Sequence, residues 1–312
     1  MVDILMATYN GADYLSEQID SIIGQTVEDW RLLISDDCSN DGTLQLIDEY
    51  CKADSRICLV SHGKRYGSAR DNFISLAKHA TSEYVMFCDQ DDVWLNRKIE
   101  ITLRKMRELE EIGSEGDPCL VFTDLAVVDS GLEIMSESFT ACSHIDPSRT
   151  ELRMVLAQSI GAGCTMMLNK PLVELFNEAE VTDRIVMHDW WATLLASAFG
   201  RIAYVSETTV LYRQHGSNAV GAVKYNPAKS ACNVAMMVDS VRKTVGQASL
   251  FYELYSKRLK AKERETVKAF CGVCGNGPLS RELSLIKSGC WKKGARKLGQ
   301  IIAVWKMGMP DD

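Results

Sequence analysis

The 312-residue sequence has no run of about 18 consecutive apolar residues, the length that a membrane-crossing helix needs. It also has no basic leader with a cleavage site, because it opens directly on an apolar run at residues 2–6. Internal repeats and low-complexity segments are absent too. These absences predict a cytoplasmic globular protein with a sizeable core, neither exported nor membrane-spanning.

Closely spaced pairs of cysteines are also scarce, although the chain has eleven cysteines in all. Several of them, including Cys88 and Cys164, lie in apolar runs, which indicates reduced core thiols. Cys271 and Cys274 have the spacing of metal ligands, but only the lone Cys290 follows them. A zinc site would need a second pair, so the cysteines predict neither disulfides nor zinc.

Charge is unevenly distributed along the chain, whose net charge is −7. Residues 222–312 hold 17 Lys/Arg and 7 Asp/Glu, or +10, whereas the remainder holds 18 and 35, or −17. The acidic body argues against nucleic acid as a partner. The basic end predicts contact with an anionic surface.

Residues 284–306 mix apolar and basic side chains, and two interpretations of this segment stay open. It suits a helix that lies on an anionic membrane. It equally suits a helical hairpin that packs on the rest of the chain and leaves a solvated basic face.

Short apolar runs alternate with amphipathic patterns through the first third of the chain. The runs at residues 2–8, 30–35, 57–61 and 83–88 predict strands, and helical patterns separate them. This alternation predicts an α/β fold, a parallel sheet with helices on both faces. Ligands bind such sheets beyond the carboxyl ends of the strands, where this chain places its polar clusters.

Later segments continue the alternation with longer elements. Helices are predicted at residues 94–109 and from 186 to about 199, and a helical, basic pattern begins at about residue 226. Further strands are predicted at residues 118–128, 160–168, 201–205 and 208–212.

Asp89, Asp91 and Asp92 place three carboxylates within four residues, directly after the fourth predicted strand. These groups repel one another, and their removal from water without a partner is costly. A divalent cation would offset both effects, and all-oxygen ligands suit Mg²⁺ or Mn²⁺. The alternative is a solvated acidic turn that caps the next helix.

Four polar segments follow the predicted strands: residues 8–10, 36–43, 67–72 and 89–92. In order and spacing they resemble the nucleotide-binding half of the family 2 glycosyltransferases, which are inverting enzymes with a GT-A fold. The resemblance covers residues 2–220. Residues 89–94, 188–191 and 212–215 are similar to the rhamnosyltransferase-type members of bacterial surface polysaccharide pathways.

The resemblance implies a GT-A catalytic domain at residues 1–220, with a nucleotide-binding half at 1–95 and an acceptor half at 96–220. Residues 221–312 would form a basic helical C-terminal region. The nucleotide-sugar donor would be held by side chains that follow the strands. These predicted donor-binding residues are Thr8, Tyr9, Asn10, Asp36, Asp37, Arg70, Asp89 and Gln90.

Individual roles follow from chemistry at these positions. Asp37 can accept the imide N–H of a uracil or thymine ring. Asp36 would line the same pocket, or it would only cap the next helix. Arg70 sits where the family places a cation near the nucleotide, and its alternative role is a surface ion pair.

The predicted metal ligands are Asp91, then Asp92, with His215 in reach of the metal or the diphosphate. Asp92 has the alternative role of helix N-cap, and His215 that of a structural histidine. Bound Mn²⁺ or Mg²⁺ would neutralise charge as the nucleoside diphosphate leaves.

Asp189 matches the family's catalytic base, which takes a proton from the acceptor hydroxyl. The family more commonly has Glu-Asp at this point, and this chain has His188 before Asp189. His188, Trp190 and Trp191 are assigned to the acceptor, since aromatic faces pack well on sugars. The alternative makes Asp189 a plain helix cap and both tryptophans core residues.

The resulting prediction is an inverting, metal-dependent transferase that moves L-rhamnose from dTDP-rhamnose to a lipid-linked glycan, with residues 284–306 at the inner membrane face. One alternative keeps this chemistry with a UDP-hexose donor. A second is a nucleotide-sugar-binding regulator that has lost transfer. A third, a nucleotidyltransferase, would need a Gly-rich basic loop near the N-terminus, which the sequence does not offer.

Overall fold

The structure is a computed structural model that describes residues 1–216 and 234–307. The strands of these residues form one mixed sheet in the order β3-β2-β1-β4-β8-β6-β9-β5, and β7 pairs with β6. The strands are β1 (Val2–Thr8), β2 (Trp30–Asp36), β3 (Ile57–Ser61), β4 (Tyr84–Cys88), β5 (Val93–Trp94), β6 (Cys119–Val128), β7 (Ile134–Ser136), β8 (Met166–Asn169) and β9 (Arg201–Arg213).

Helices cover the sheet and continue beyond it. The helices are α1 (Leu15–Ile23), α2 (Thr43–Ala53), α3 (Ala69–Ala77), α4 (Lys98–Ile112), α5 (Phe139–Cys142), α6 (Leu152–Val155), α7 (Lys170–Phe176), α8 (His188–Phe199), α9 (Val234–Tyr255), α10 (Ala261–Cys271), α11 (Pro278–Ser288) and α12 (Ala295–Lys306). Short 3₁₀ turns occur at Gly163–Thr165 and Gly272–Cys274.

The central strand β1 shows why the first strands are continuous apolar runs. It pairs in parallel with β2 and β4, so both of its edges are hydrogen-bonded within the sheet. Ile4 and Met6 join the hydrophobic cluster on one side of the sheet, and Leu5 joins the cluster on the other side. A strand buried on both faces is a nearly continuous apolar run, and the buried exception in β1, Asp3, is paired with Arg31. The predicted α/β sheet with helices on both faces is confirmed.

Two predicted elements differ from the structure. The strand predicted at 160–168 is reduced to β8, because residues 163–165 form a 3₁₀ turn. A side chain at Gly161 would bring its Cβ within 2.9 Å of Phe122, so this stretch passes close to its neighbours. The two strands predicted at 201–205 and 208–212 are one strand, β9, whose pairing with β6 shifts register near Asp124.

The C-terminal helices pack on the sheet domain and form a helical hairpin at their end. Trp191 of α8 contacts Phe251 and Tyr255 of α9, with ring centroids 6.0 and 6.2 Å apart. Val304 of α12 is fully buried in the same hydrophobic cluster. Of the two interpretations of residues 284–306, the packed hairpin is observed. The predicted domain boundary at residues 220 and 221 lies outside the described residues.

No helix in the described ranges is both long enough and apolar enough to cross a membrane.

Candidate active site

A cavity of about 670 Å³ opens where β1, β2 and β4 end, and the start of α8 closes its far side. Pockets for small ligands commonly have a volume of this order. One side is the loop wall, formed by Thr8, Tyr9, Asp37, Arg65 and Gly67. The other is the acidic wall, formed by Asp89, Asp91, His188 and Asp189.

A buried carboxylate behind the loop wall fixes the loops after β1 and β2. Asp36 is fully buried and accepts hydrogen bonds from Thr8 Oγ1 at 2.8 Å, from the Ser39 N–H at 2.8 Å and from Ser39 Oγ at 2.6 Å. Asn10 has a positive φ of 47°, and its N–H donates to Ser39 Oγ. Neither Asp36 nor Asn10 lines the cavity. The structure gives both side chains the role of holding loops in place, and their contact with the donor stays a prediction.

Asp37 does line the cavity, and its carboxylate also fixes the loop after β3. It accepts the N–H of Tyr66 and, at 2.8 Å, the N–H of Gly67. Gly67 has a φ of 79°, a conformation that glycine adopts without strain. Each carboxylate oxygen has a further lone pair, so Asp37 keeps the capacity to accept from a ligand.

Gln90 joins the loops after β1 and β4. Its Oε1 accepts the N–H of Tyr9 at 2.8 Å, and its Nε2 donates to the Tyr9 carbonyl at 3.0 Å. A Cβ at Gly11 would come within 2.4 Å of Gln90 Oε1, so this approach requires glycine. Tyr9 is held by its backbone while 47% of the residue stays exposed beside the cavity.

The sequence predicts that Arg70 lies near the nucleotide, but among the described residues the arginine that lines the cavity is Arg65. Arg70 binds Asp71 at 2.6 Å and the Ile185 carbonyl at 3.0 Å, and it does not line the cavity. Its contact with the donor stays a prediction. Arg65, which no sequence argument singled out, is the Lys/Arg residue among the described lining residues. It lies in an exposed loop without a motif that would have signalled it.

Asp89 and Asp91 place two carboxylates at the acidic wall. Burial, and then the charges of Asp91 and Asp189, raise the pKa of Asp89 to about 7. Asp91 Oδ2 lies 2.8 Å from His215 Nε2. The predicted grouping of Asp91 with His215 is therefore seen, although His215 does not line the cavity.

Asp92 points away from the cavity into the core. It is fully buried, and its Oδ1 accepts the N–H of Arg213 at 3.1 Å. Burial raises its pKa well above the ordinary value. One of its carboxylate oxygens lies within 4.8 Å of a ligand atom of Asp89 and of Cys164, a spacing that suits a bound metal ion. The role of Asp92 as a metal ligand therefore stays a prediction.

Arg213 holds the acidic turn from the end of β9. Its guanidinium is buried and donates to the Asp91 carbonyl at 2.9 Å and to the Ser130 carbonyl at 2.7 Å. It also pairs with the Glu17 carboxylate and lies 4.6 Å from the centre of the Tyr14 ring. The position of Asp91 is thus fixed by a charged side chain that the sequence prediction did not single out.

The acid pair fits a divalent cation. Two neighbouring carboxylates, with an imidazole 2.8 Å from one of them, form an oxygen-rich donor set, and the charge of Asp91 helps to raise the pKa of Asp89. Such a set suits Mn²⁺ or Mg²⁺. The residues that would hold the ion are Asp89, Asp91 and His215.

Asp189 is a half-buried carboxylate in the first turn of α8, and it lines the cavity. It accepts the N–H of Gly163 at 3.0 Å and that of Trp190 at 2.6 Å. Burial raises its pKa to about 6, although these backbone hydrogen bonds oppose the shift. The residue that precedes helix α8 as its N-cap is Met187, so Asp189 is not a plain helix cap.

His188 lies between two aromatic rings and faces the same cavity. Its ring stacks on Phe73 at 4.1 Å and meets the edge of Phe87 at 4.7 Å. Within the described residues, neither ring nitrogen has a hydrogen-bond partner. Burial lowers its pKa to about 3, so the imidazole is neutral at physiological pH.

The two tryptophans after Asp189 differ in position. Trp190 lines the cavity, and its Nε1 donates to the Val155 carbonyl at 2.7 Å. Trp191 is fully buried among the rings of α9. The structure places Trp191 in the core, since helical geometry turns consecutive side chains to different sides, and its contact with an acceptor sugar stays a prediction.

Other lining residues come from segments without a recognisable signal. Phe139, Ile145 and Ser159 belong to the region between β7 and the 3₁₀ turn. Gly161 and Gly163 also line the cavity, and a Cβ at Gly163 would come within 2.9 Å of His188 Nε2.

The fold, with this cavity at the ends of the strands, is a GT-A glycosyltransferase fold. The model of "Glycosyl transferase family 2" matches residues 3–116. The dTDP-rhamnosyl transferase RfbG of Shigella flexneri is 31% identical over 228 residues, which are 70% of this chain and 74% of RfbG. The chain therefore belongs to glycosyl transferase family 2.

A second relative is the Escherichia coli enzyme WfgD, named UDP-Glc:alpha-D-GlcNAc-diphosphoundecaprenol beta-1,3-glucosyltransferase. It is 27% identical over 57% of this chain and 63% of its own length.

Solved structures share the fold at low sequence identity. S. aureus TarS 1–349 with UDP-GlcNAc has a TM-score of 0.56 and 14% identity, over 96% of this chain and 90% of that one. The Pyrobaculum calidifontis mannosyltransferase PcManGT with GDP-Man and Mn²⁺ has a TM-score of 0.52 and 17% identity, over 98% and 81%.

Proposed function

We propose that this protein is an inverting, metal-dependent glycosyltransferase that moves L-rhamnose from dTDP-rhamnose to a lipid-linked glycan in bacterial surface polysaccharide biosynthesis. The observation that carries the proposal is one cavity with two chemically different acidic sites. Asp89 and Asp91 form a crowded pair, and Asp189 is a separate carboxylate held by backbone N–H groups.

The loop wall binds the nucleotide. Tyr9 packs on the pyrimidine ring, and Asp37 accepts its imide N–H with the lone pairs left by Tyr66 and Gly67. Arg65 lies on the same wall and supplies positive charge to the diphosphate. The loops are already fixed by Asp36 and Gln90, so little ordering is needed when the donor binds.

Asp91, Asp89 and His215 would hold the divalent cation, which would neutralise the charge that develops on the departing diphosphate. Arg213 keeps the Asp91 backbone in place through its bond to the Asp91 carbonyl. Support for a metal comes from the crowded carboxylates and from a GT-A neighbour bound to Mn²⁺.

Asp189 is the general base. The acceptor hydroxyl gives its proton to a carboxylate oxygen of Asp189 as the hydroxyl oxygen attacks the anomeric carbon. A pKa of about 6 leaves Asp189 ionised at neutral pH, yet more basic than an ordinary carboxylate. His188 is a poor proton acceptor by contrast, because burial lowers its pKa to about 3. Trp190 offers its ring to the acceptor sugar.

Relatives support the identity of donor and acceptor. RfbG, whose name specifies dTDP-rhamnosyl transfer, supports the rhamnose donor. WfgD, named for UDP-Glc and a diphosphoundecaprenol-linked acceptor, supports a lipid-linked acceptor and favours a UDP-hexose donor as the second candidate.

A panel of UDP, dTDP and GDP, each with and without Mn²⁺, tests the proposal by thermal unfolding. We expect dTDP or UDP with Mn²⁺ to raise the Tm most, because a ligand that binds the folded state stabilises it. Asp91→Asn should abolish the share that Mn²⁺ adds, whereas Asp13→Asn, on an exposed residue, should keep it. A flat panel, or an Asp91→Asn protein that responds like wild type, would remove the metal assignment.

Donor turnover separates the enzyme from a binding protein. With Mn²⁺ present, the wild-type chain should slowly hydrolyse the donor that stabilises it, since water can replace the acceptor. Binding without any hydrolysis or transfer would support the non-catalytic regulator instead. The pair dTDP-rhamnose and UDP-glucose distinguishes the two candidate donors in the same assay.

A further inference from the structure

The C-terminal hairpin carries an unusual concentration of exposed apolar side chains. Leu279, Leu283 and Ile286 of α11 are 68%, 66% and 55% exposed. Leu298 and Trp305 of α12 are 63% and 40% exposed. Isolated exposed hydrophobics are ordinary, but a contiguous group of them marks an interaction surface. We call these five residues the hairpin patch.

Helical spacing puts the members of the hairpin patch on one side of each helix. Leu279, Leu283 and Ile286 follow an i, i+4, i+7 pattern, and Leu298 and Trp305 are seven residues apart. The two faces meet where Trp305 Nε1 donates to Glu282 of α11 at 3.1 Å.

The opposite faces of the two helices are already used. Leu285 of α11 and Ala303 and Val304 of α12 are fully buried in the core. Arg281 ties the helices together by donating to the carbonyls of Gly275 and Met307. The hairpin patch is therefore a fixed outer surface and does not depend on a rearrangement of the helices.

Positive charge surrounds the hairpin patch. Lys287, Lys297 and Lys306 are exposed and adjoin Ile286, Leu298 and Trp305 in the sequence. Residues 234–307 hold 15 Lys/Arg and 5 Asp/Glu, a net charge of +10. Two such surfaces would repel each other in a self-contact, whereas an anionic lipid surface attracts both the lysines and the apolar side chains.

We propose that the hairpin patch docks the protein on an anionic phospholipid membrane, with the apolar side chains in the interface and the lysines at the headgroups. This refines the segment expected at 284–306, because Lys292, Lys293 and Arg296 bind other parts of the chain. The docking itself does not depend on the proposed function. Only the purpose of docking, which is to present a lipid-linked acceptor to the site, rests on that function.

The hairpin is also joined to the wall of the cavity. Arg296 donates to the Ser143 carbonyl at 2.9 Å, and the Lys293 N–H donates to Gln158 at 3.0 Å. Ile145 and Ser159, which neighbour these contacts, line the cavity. A hairpin docked on a membrane would thus hold the cavity-lining segment around Ile145 and Ser159 close to that membrane.

Vesicle sedimentation with the full-length chain tests the proposal without donor or acceptor. Vesicles with phosphatidylglycerol should bind the protein, and pure phosphatidylcholine vesicles should bind it weakly. The triple variant Leu279→Ser, Leu283→Ser, Ile286→Ser should lower affinity at least about tenfold, because it removes most of the apolar contact. Lys287→Gln and Lys306→Gln should each lower it about fivefold, and added salt should mask that loss.

Matched controls keep the outcome clear. Ile112→Ser, on a residue 72% exposed at the end of α4, should bind vesicles like wild type. Asp91→Asn should also bind them, so failure of the metal assignment does not affect this test. An unchanged triple variant, or a wild-type chain that ignores anionic vesicles, overturns the proposal. Self-association that the triple variant abolishes, without vesicle binding, would assign the surface to a second copy instead.

Discussion

The loop wall and the acidic wall of the cavity use carboxylates in opposite ways. Behind the loop wall, Asp36 accepts three hydrogen bonds, and on it Asp37 accepts two backbone N–H groups. On the acidic wall, burial raises the pKa values of Asp89 and Asp189 to about 7 and about 6, and the charges of Asp91 and Asp189 add to the shift of Asp89. The carboxylates of the loop wall thus have hydrogen-bond donors within the protein, whereas the carboxylates of the acidic wall are costly to ionise.

This difference indicates a division of labour. A satisfied polar network makes a binding surface rigid before the ligand arrives. Carboxylates that resist ionisation are instead typical of sites where a cation or a proton is handled. His188 adds to the cost of the acidic wall, because both of its ring nitrogens are buried without partners in the described residues. Natural proteins accept such costs where function requires them.

The largest expected effect is the loss of transfer in Asp189→Asn. Removal of a general base lowers the rate by about 10²- to 10⁴-fold. Stability should change by less than about 1 kcal/mol, because the lost hydrogen bond is offset by the loss of a buried charge. Product formation, measured by chromatography with saturating donor and Mn²⁺, gives the rate.

Asp183→Asn, on an exposed acid shortly before α8, serves as the control and should transfer at the wild-type rate. Binding of dTDP should be unchanged in both variants. If Asp189→Asn kept more than about a tenth of the rate, the acidic wall would not contain the base.

On the loop wall the same type of exchange should act first on stability. Asp36→Asn places an amide N–H among groups that donate to the carboxylate, so at least one buried donor loses its partner. We expect the free energy of unfolding to fall by about 1–3 kcal/mol. Urea denaturation measures this, with the exposed Asp48→Asn as the control. An unchanged unfolding midpoint would mean that the loop wall does not depend on this network.

The sequence was informative about the loop wall and the acidic turn because their polar residues directly follow apolar strands. A strand that ends in a short loop fixes the position of the next few residues, so Asp37, Asp89 and Asp91 are found where expected. Directions of side chains were less predictable. Asp92 and Trp191 each follow a correctly placed neighbour, but their side chains enter the core.

Contacts between residues that are far apart in the chain could not be predicted from the sequence. Arg65 and Arg70 lie five residues apart, and only the folded loop shows that the first lines the cavity while the second binds Asp71 and the Ile185 carbonyl. Arg213 likewise acquires its role through partners at Ser130 and Asp91, far away in the chain. Long-range pairing leaves no local pattern to read.

The smallest expected effect is a pH dependence that links the two properties of Asp189. Its pKa rises from an ordinary 3.8 to about 6 in the folded protein, so protonation should lower transfer about tenfold per pH unit below that value. The same shift means that the folded state binds more protons than the unfolded state between pH 4 and 6, as roughly set by these two values. The contribution of Asp189 to stability therefore falls as pH rises through this window.

Activity and the Asp189 contribution to stability should thus move in opposite directions with pH. Initial transfer rates from pH 4.5 to 8, at saturating Mn²⁺ and donor, keep changes in metal binding out of the profile, and roughly this range brackets the expected pKa. Unfolding measured on wild type and Asp189→Asn over the same range isolates the contribution of the carboxylate, since the variant cannot titrate there. A transfer rate that stays flat down to about pH 5 would show that the base on the acidic wall is an ordinary, solvated carboxylate. The two walls would then no longer differ in the way that the structure indicates.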